Sequence, residues 1–102
     1  MVDREQRVFI PNSFSPNGDG FNDQFMIFAG SDVRIIRSFK VFNRWGAALY
    51  TANDFSPNDT QFGWDGEFQG QIVNSGVYIY FAEIEFVDGR TEIFRGDLTI
   101  TR

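Results

Sequence analysis

The sequence predicts an all-β fold, an antiparallel β-sandwich of about seven strands, and three observations carry that expectation. The apolar set is dominated by aromatics, with 13 Phe, 3 Tyr and 2 Trp against 2 Met, and aromatic and β-branched residues suit a pleated, half-buried surface. Ten glycines and three prolines sit mostly between the apolar runs, where short strands need turns. No stretch reads as a convincing helix. At 102 residues the chain has room for one domain and one core.

Taken in order, residues 1–7 are polar and expected to be flexible, and the domain proper is expected over 8–102. Val8-Phe9-Ile10 followed by Pro11 reads as a short edge strand, because proline cannot donate to a central ladder. Asn12 to Asp23 is expected to be a turn-rich loop, and Gln24 to Phe28 a second short strand. Ile35 to Trp45 is a long strand candidate with Phe39, Val41, Asn43 and Trp45 on one face and Ile36, Lys40 and Phe42 on the other, so a central strand covered on both sides is expected. Gly46 ends it, and Ala47 to Thr51 returns as a partner.

Ala52 to Gly63, polar and broken by Pro57, is expected to be loop, as is Glu67 to Ser75 after the Asp-Gly turn at Trp64-Asp65-Gly66. In Val77 to Val87, Tyr78, Tyr80, Ala82, Ile84 and Phe86 alternate with Val77, Ile79 and Phe81, then with Glu83 and Glu85. Its first half reads as buried on two faces and its second half on one. Asp88-Gly89 is a hairpin signal. The return strand, Arg90 to Thr101, places Phe94, Leu98 and Ile100 on one face and Thr91, Arg95, Asp97, Thr99 and Thr101 on the other. Such a strand count with a terminal hairpin fits a two-sheet, Ig-like sandwich.

Composition excludes several functions. The net charge is −5, from 14 acidic and 9 basic residues, so the basic face that phosphate binding requires is missing and nucleic acid is not expected as a partner. There is no cysteine and no histidine, which removes disulfides, thiolate nucleophiles, the usual general base and the commonest metal ligand. No apolar run approaches the roughly 18 residues of a membrane span, so direct membrane insertion is not expected. Met1 is followed by charged residues rather than a signal peptide; the chain is expected to be either cytoplasmic or part of a longer secreted protein.

Five features invite a chemical reading. In Ser15 to Asp23, oxygen-bearing side chains recur at Ser15, Asn17, Asp19 and Asp23, and the Phe21 carbonyl could point inward. Alternate oxygen ligands with a glycine bend form the first half of a calcium loop. Ser15 stands where an Asp usually begins it, however, and no bidentate Glu closes it. The competing reading is a tight turn in which Asn and Asp bond their own backbone. Trp64-Asp65-Gly66 and Asn43-Arg44-Trp45-Gly46 could each offer an aromatic to a glycan. The plainer reading places both tryptophans in the core, with Asn43 capping a loop and Arg44 covering Trp45 or pairing with an acid.

Arg95-Gly96-Asp97 matches an adhesion tripeptide but falls inside a strand, where context argues for chance. The carboxylate pairs Asp54 with Asp59 and Glu83 with Glu85 are tied to no pocket, and Glu83 and Glu85 are expected in solvent. No catalytic residues are expected, since hydrolysis needs two carboxylates at a set separation.

Five segments in order then carry a resemblance. They are Ile10 to Asp23 (IPNSFSPNGDGFND), Val41-Phe42-Asn43-Arg44-Trp45-Gly46, Trp64-Asp65-Gly66, Ser75-Gly76-Val77-Tyr78 and Gly96 to Arg102 (GDLTITR). Together they resemble the gliding-motility-associated C-terminal domain, the type B sorting domain of the type IX secretion system. The resemblance implies an Ig-type sandwich at the C-terminus of a large surface or secreted protein of a gliding Gram-negative bacterium. It also implies a non-catalytic signal that directs passage from the periplasm through the outer-membrane translocon with a dedicated outer-membrane partner protein. The domain would be covalently part of the cargo, whose signal peptide would lie at its distant N-terminus.

On this reading, recognition is expected at Asn17, Asp19, Asn22 and Asp23 in the loop, at Asn43 and Arg44 in the turn, and at Thr99, Thr101 and Arg102 in the final strand. An Ig-like adhesive or carbohydrate-binding module is the alternative.

Overall fold

The computed structural model describes residues 8–16 and 23–101. The expected flexible segment 1–7, the loop residues Asn17, Asp19, Phe21 and Asn22, and Arg102 lie outside the described residues. The fold is all-β and sandwich-like, as the aromatic runs and turn residues predict. Its frame is one five-stranded sheet. Across it lie β2 (Ser13–Phe14), β9 (Thr91–Ile100), β8 (Gly76–Phe86), β4 (Val33–Phe42) and β5 (Ala48–Phe55), in that order. A ribbon of β1 (Val8–Phe9) with β3 (Phe28–Ala29) and a hairpin of β6 (Glu67–Phe68) with β7 (Gln71–Ile72) complete the strands among the described residues. The described residues therefore hold nine strands, four of them the two-residue strands of the small ribbon and hairpin, against about seven expected. The sheet is mixed rather than purely antiparallel, because β2 runs parallel to β9.

The core lies on one face of the large sheet. Phe25 and Trp64 exchange both backbone hydrogen bonds, at 2.8 and 3.0 Å, and form a two-residue clasp over that face. The Phe25 ring sits 5.5 Å from Phe39 of β4 and 5.6 Å from Tyr80 of β8. Trp64 packs on Tyr78 of β8 and Tyr50 of β5, and Phe14 of β2 touches both Phe25 and Trp64. Burying each such side chain stabilises the fold by roughly 1.5–3 kcal/mol, and well-placed ring pairs add roughly 0.5–1.5 kcal/mol. The indole N–H of Trp64 donates to the Glu67 carbonyl at 2.9 Å, so its one polar atom is satisfied inside the core.

Several expectations are corrected at the level of the strand. Strict alternation places Ile36 and Phe39 on opposite faces of β4, yet both are buried on the core side with Val33 and Val41. The pairing of β4 with β8 shifts between Val33 and Ile35 and again between Ile36 and Ser38. Each shift inserts a residue and re-aims the side chains that follow. β5 extends to Phe55, well into the expected loop, because Ala52 and Phe55 find core contacts. The expected loop after Glu67 contains the β6–β7 hairpin, whose central residues Gln69 and Gly70 both have positive φ, the geometry of a two-residue type I′ turn.

The terminal hairpin follows the sequence closely. Phe86 N–H donates to the Arg90 carbonyl and Gly89 N–H to the Phe86 carbonyl, with Gly89 at φ +92°. Tyr78, Ala82, Ile84, Phe86, Leu98 and Ile100 are buried as the alternation requires. The two-sided burial expected for the start of β8 is corrected: Val77 and Ile79 are exposed, since no second layer covers them among the described residues. Glu85 is not free in solvent either. It lies between Arg37, whose Nε donates to its Oε1 at 2.9 Å, and Arg34 at 3.3 Å, and its side chain is only 14% exposed.

Candidate functional site at one end of the sheet

Register brings several chain segments to one end of the large sheet. Phe42 near the end of β4 pairs with Ala48 and Ile79, Gly76 at the start of β8 pairs with Ile100, and Phe14 of β2 also pairs with Ile100. The turn between β4 and β5 projects from this end and is built almost entirely by Asn43. Its Oδ1 accepts from Trp45 N–H and Ala47 N–H, each at 2.9 Å. Its own N–H donates to the Ala47 carbonyl, and its carbonyl accepts from Gly46 N–H, each at 3.0 Å. Gly46 supplies φ +89°, which other residues reach only with strain. An Asn side chain that replaces missing backbone partners fixes the loop without help from the core.

This turn holds Trp45 outward, 82% exposed. The expectation that Trp45 joins the core is therefore overturned. β4 ends at Phe42, and the turn carries the next residues off the sheet before alternation can return Trp45 to the buried face. The Arg44 guanidinium lies 5.4 Å from the Trp45 ring centroid, so the expected covering of Trp45 by Arg44 is present. Trp64, by contrast, is 1% exposed and belongs to the core as read.

Beside Trp45 lies an open cleft of about 470 Å³, lined among others by Arg44, Leu49, Ile72, Val77 and Tyr78. Ile72, on the β6–β7 hairpin, is 62% exposed, and Val77 is also exposed. The Tyr78 hydroxyl donates to the Asn74 carbonyl at 2.6 Å and ties the cleft wall to β8. Trp and Arg are among the residue types enriched at protein–protein hot spots, and here both border the recess. Among the described residues, no group of three or more Asp or Glu is placed to hold a metal ion.

The other expected site residues divide by position. Thr99 pairs across the sheet with Val77, and its N–H donates to the Asn12 carbonyl at 2.9 Å. Thr101 N–H donates to the Phe14 carbonyl, and its Oγ1 is 2.8 Å from Ser15 Oγ. Asn43, Arg44, Thr99, Thr101 and Ser15 thus gather at the same end as Trp45. Asp23 is half-buried two residues before the Phe25–Trp64 clasp. Of the expected calcium ligands, only Ser15 and Asp23 are among the described residues. Sequence reasoning missed Trp45, Ile72 and Val77 as surface residues. The Asn43-to-Gly46 spacing was the available signal for the first, and the Gln69-Gly70 pair for the second.

Residues 8–100 match the family model of the CHU_C type IX secretion signal domain. The chain belongs to that family. None of the curated proteins compared with it matches. A type IX secretion signal domain is a sorting signal, recognised by the secretion machinery as part of a larger cargo and implying export toward the cell surface or the extracellular space. Domains of this family are in general non-catalytic.

Proposed function

We propose that this signal domain is read from the periplasm at the outer-membrane translocon, with a dedicated outer-membrane partner protein, through the sheet end that carries Trp45. The observation behind this reading is a large aromatic held in solvent by a turn with four hydrogen bonds to a single residue, Asn43. An exposed Trp on a rigid support loses little conformational freedom on binding, so its apolar surface is available to drive association. Arg44, Ile72 and Val77 would flank it, and Asn43 would act by positioning the turn. Thr99 and Thr101 continue the same end of the sheet. The segment following Pro16, with Asn17, Asp19, Asn22 and Asp23, is joined to that end by sequence and is proposed as part of the recognition surface. The domain itself performs no catalysis in this role.

The test is to fuse residues 1–102 to a periplasm-targeted reporter in a host with the type IX system. The fusion is expected at the cell surface or in the medium. The Trp45→Ala fusion is expected to remain in the periplasm with its domain folded. Periplasmic retention of the unmodified fusion, with translocon and partner present, would sink the proposal.

A further inference from the structure

Among the described residues, strand β9 is paired along its whole length on one side only. On the β8 side its register runs without interruption from Thr91 to Ile100. On the other side, β2 covers only Thr99 and Ile100. Thr99 and Thr101 direct their N–H groups to Asn12 and Phe14, whereas the Arg90 carbonyl faces Phe86 of β8. Backbone groups alternate sides along a strand, so the N–H and C=O of Thr91, Ile93, Arg95 and Asp97 point away from β8. No strand pairs with them among the described residues. The β2 ladder stops where its register would set Pro11 beside Asp97, and proline brings no N–H.

The opposite edge of the sheet is blunted. β5 carries Asp54 at φ +55° and a register shift against β4, two features that discourage a further strand. β9 shows neither, and Ile93 on its free edge is 61% exposed. Arg95 and Asp97 lie beside Phe81 and Ile79 of β8, on the outer face, and neither forms an ion pair among the described residues. Both are exposed, so their charges are open to a strand laid alongside β9.

We propose that the free edge of β9, from Thr91 to Asp97, receives a β-strand of the secretion partner, one that sets an acidic residue opposite Arg95 and a basic residue opposite Asp97. This rests on the sorting reading above and names the second surface through which the domain is held. Main-chain pairing supplies affinity, and the alternating side chains supply selectivity. A second copy of the chain does not bring both complementary charges within the open stretch. An antiparallel β9 pair centred on Gly96 would match Arg95 with Asp97 in both directions, but Ile93 of the second copy would then fall opposite Thr99, where Ser13 already pairs.

The experiment places a photo-crosslinking amino acid at position 93, or at position 53 on β5, in the 102-residue chain fused to the exported reporter. Crosslinking to an outer-membrane protein is expected from position 93 and at least fivefold less from position 53. The charge reversals Arg95→Glu and Asp97→Lys, with unchanged melting temperature, are each expected to reduce that crosslink severalfold. Ile93→Pro, which removes one outward N–H, is expected to do the same. Equal crosslinking from both edges overturns the proposal, as does a crosslink to a second copy or to residues 1–7 of the same chain. If the fusion is exported and Trp45→Ala blocks it while position 93 gives no crosslink, the sorting reading stands and the edge proposal fails. Failure of the unmodified fusion to be exported removes both.

Discussion

Replacing each tryptophan by alanine separates the frame of the domain from the surface it presents. Trp64 is 1% exposed, contacts Phe14, Tyr50 and Tyr78 at centroid distances of 5.8–6.4 Å, and donates its indole N–H to Glu67 at 2.9 Å. Removing a large aromatic from such a site costs about 3–5 kcal/mol in lost transfer energy and cavity. For a chain of 102 residues, the unfolding entropy is about 0.2 kcal/mol per kelvin, so the midpoint should fall by about 15–25 °C. Trp45 is 82% exposed; its loss removes an exposed Arg–aromatic contact and should cost under about 1 kcal/mol, or a few degrees. The assay is thermal unfolding by circular dichroism of both variants, alongside reporter export at a temperature below both midpoints. Trp45→Ala should be stable and retained in the periplasm, while Trp64→Ala should be unstable yet exported wherever it is folded. A large stability loss in Trp45→Ala, or normal export of that variant, would refute the division of roles.

Three further outcomes follow from named contacts. Asn43→Ala leaves the core untouched but strips the two N–H groups of Trp45 and Ala47 of their acceptor; it should cost about 1–2 kcal/mol and lower export toward the Trp45→Ala level, measured in the same fusion. The Arg90 backbone N–H, with help from the Arg90 guanidinium, holds the Asp88 carboxyl below its ordinary 3.8. A depressed folded pKa gives stability that is present above the unfolded value and lost as pH falls through the folded one. The melting temperature should therefore drop below about pH 4, and Asp88→Asn should flatten that part of the profile. Ser15 Oγ is engaged with Thr101, and the turn and calcium readings of the loop differ in one observable. Millimolar calcium is expected to leave the melting temperature unchanged, and a rise that Asp19→Asn and Asp23→Asn abolish would assign the loop a site.

What was legible in the sequence was what local chemistry decides. Asp88-Gly89 between two alternating runs specifies the β8–β9 hairpin and its buried face, because turn and strands are contiguous. β4 was misread for a physical reason. Alternation assumes an unbroken pleat, and the two register shifts against β8 bring Val33, Ile36 and Phe39 to one face at a spacing of three, which no period-two reading recovers. The tryptophans show the same limit. Trp45-Gly46 and Trp64-Asp65-Gly66 look alike as aromatic-turn motifs, yet Trp64 is buried because its backbone pairs with Phe25, a partner remote in sequence. Trp45 is exposed because Asn43 closes its turn locally. The parallel pairing of β2 with β9 depends equally on distant residues, so the free length of β9 was invisible until the fold placed Ser13 beside Thr99.

A signal read as a folded shape has to meet two opposed demands. Its surface must offer apolar and unpaired groups to a partner, and the same groups must not join copies of the domain on the way there. The fold divides the task along the sheet. The apolar residues whose burial holds the fold face inward, where Phe25 and Trp64 clasp them. Among the exposed ones, Trp45, Ile72 and Val77 gather at one end of the sheet, whereas Ile93 on β9, Val87 by the terminal hairpin and Phe9 on β1 lie apart from them. An open strand edge is an invitation to aggregate, and β9 carries Arg95 and Asp97 on it, while the net charge of −5 keeps molecules apart. Those two charges cost a foreign edge its pairing unless it brings the complementary charges in the complementary order. The feature that protects the edge is thus also the one that makes it selective, and neutralising both charges together should weaken discrimination while raising self-association.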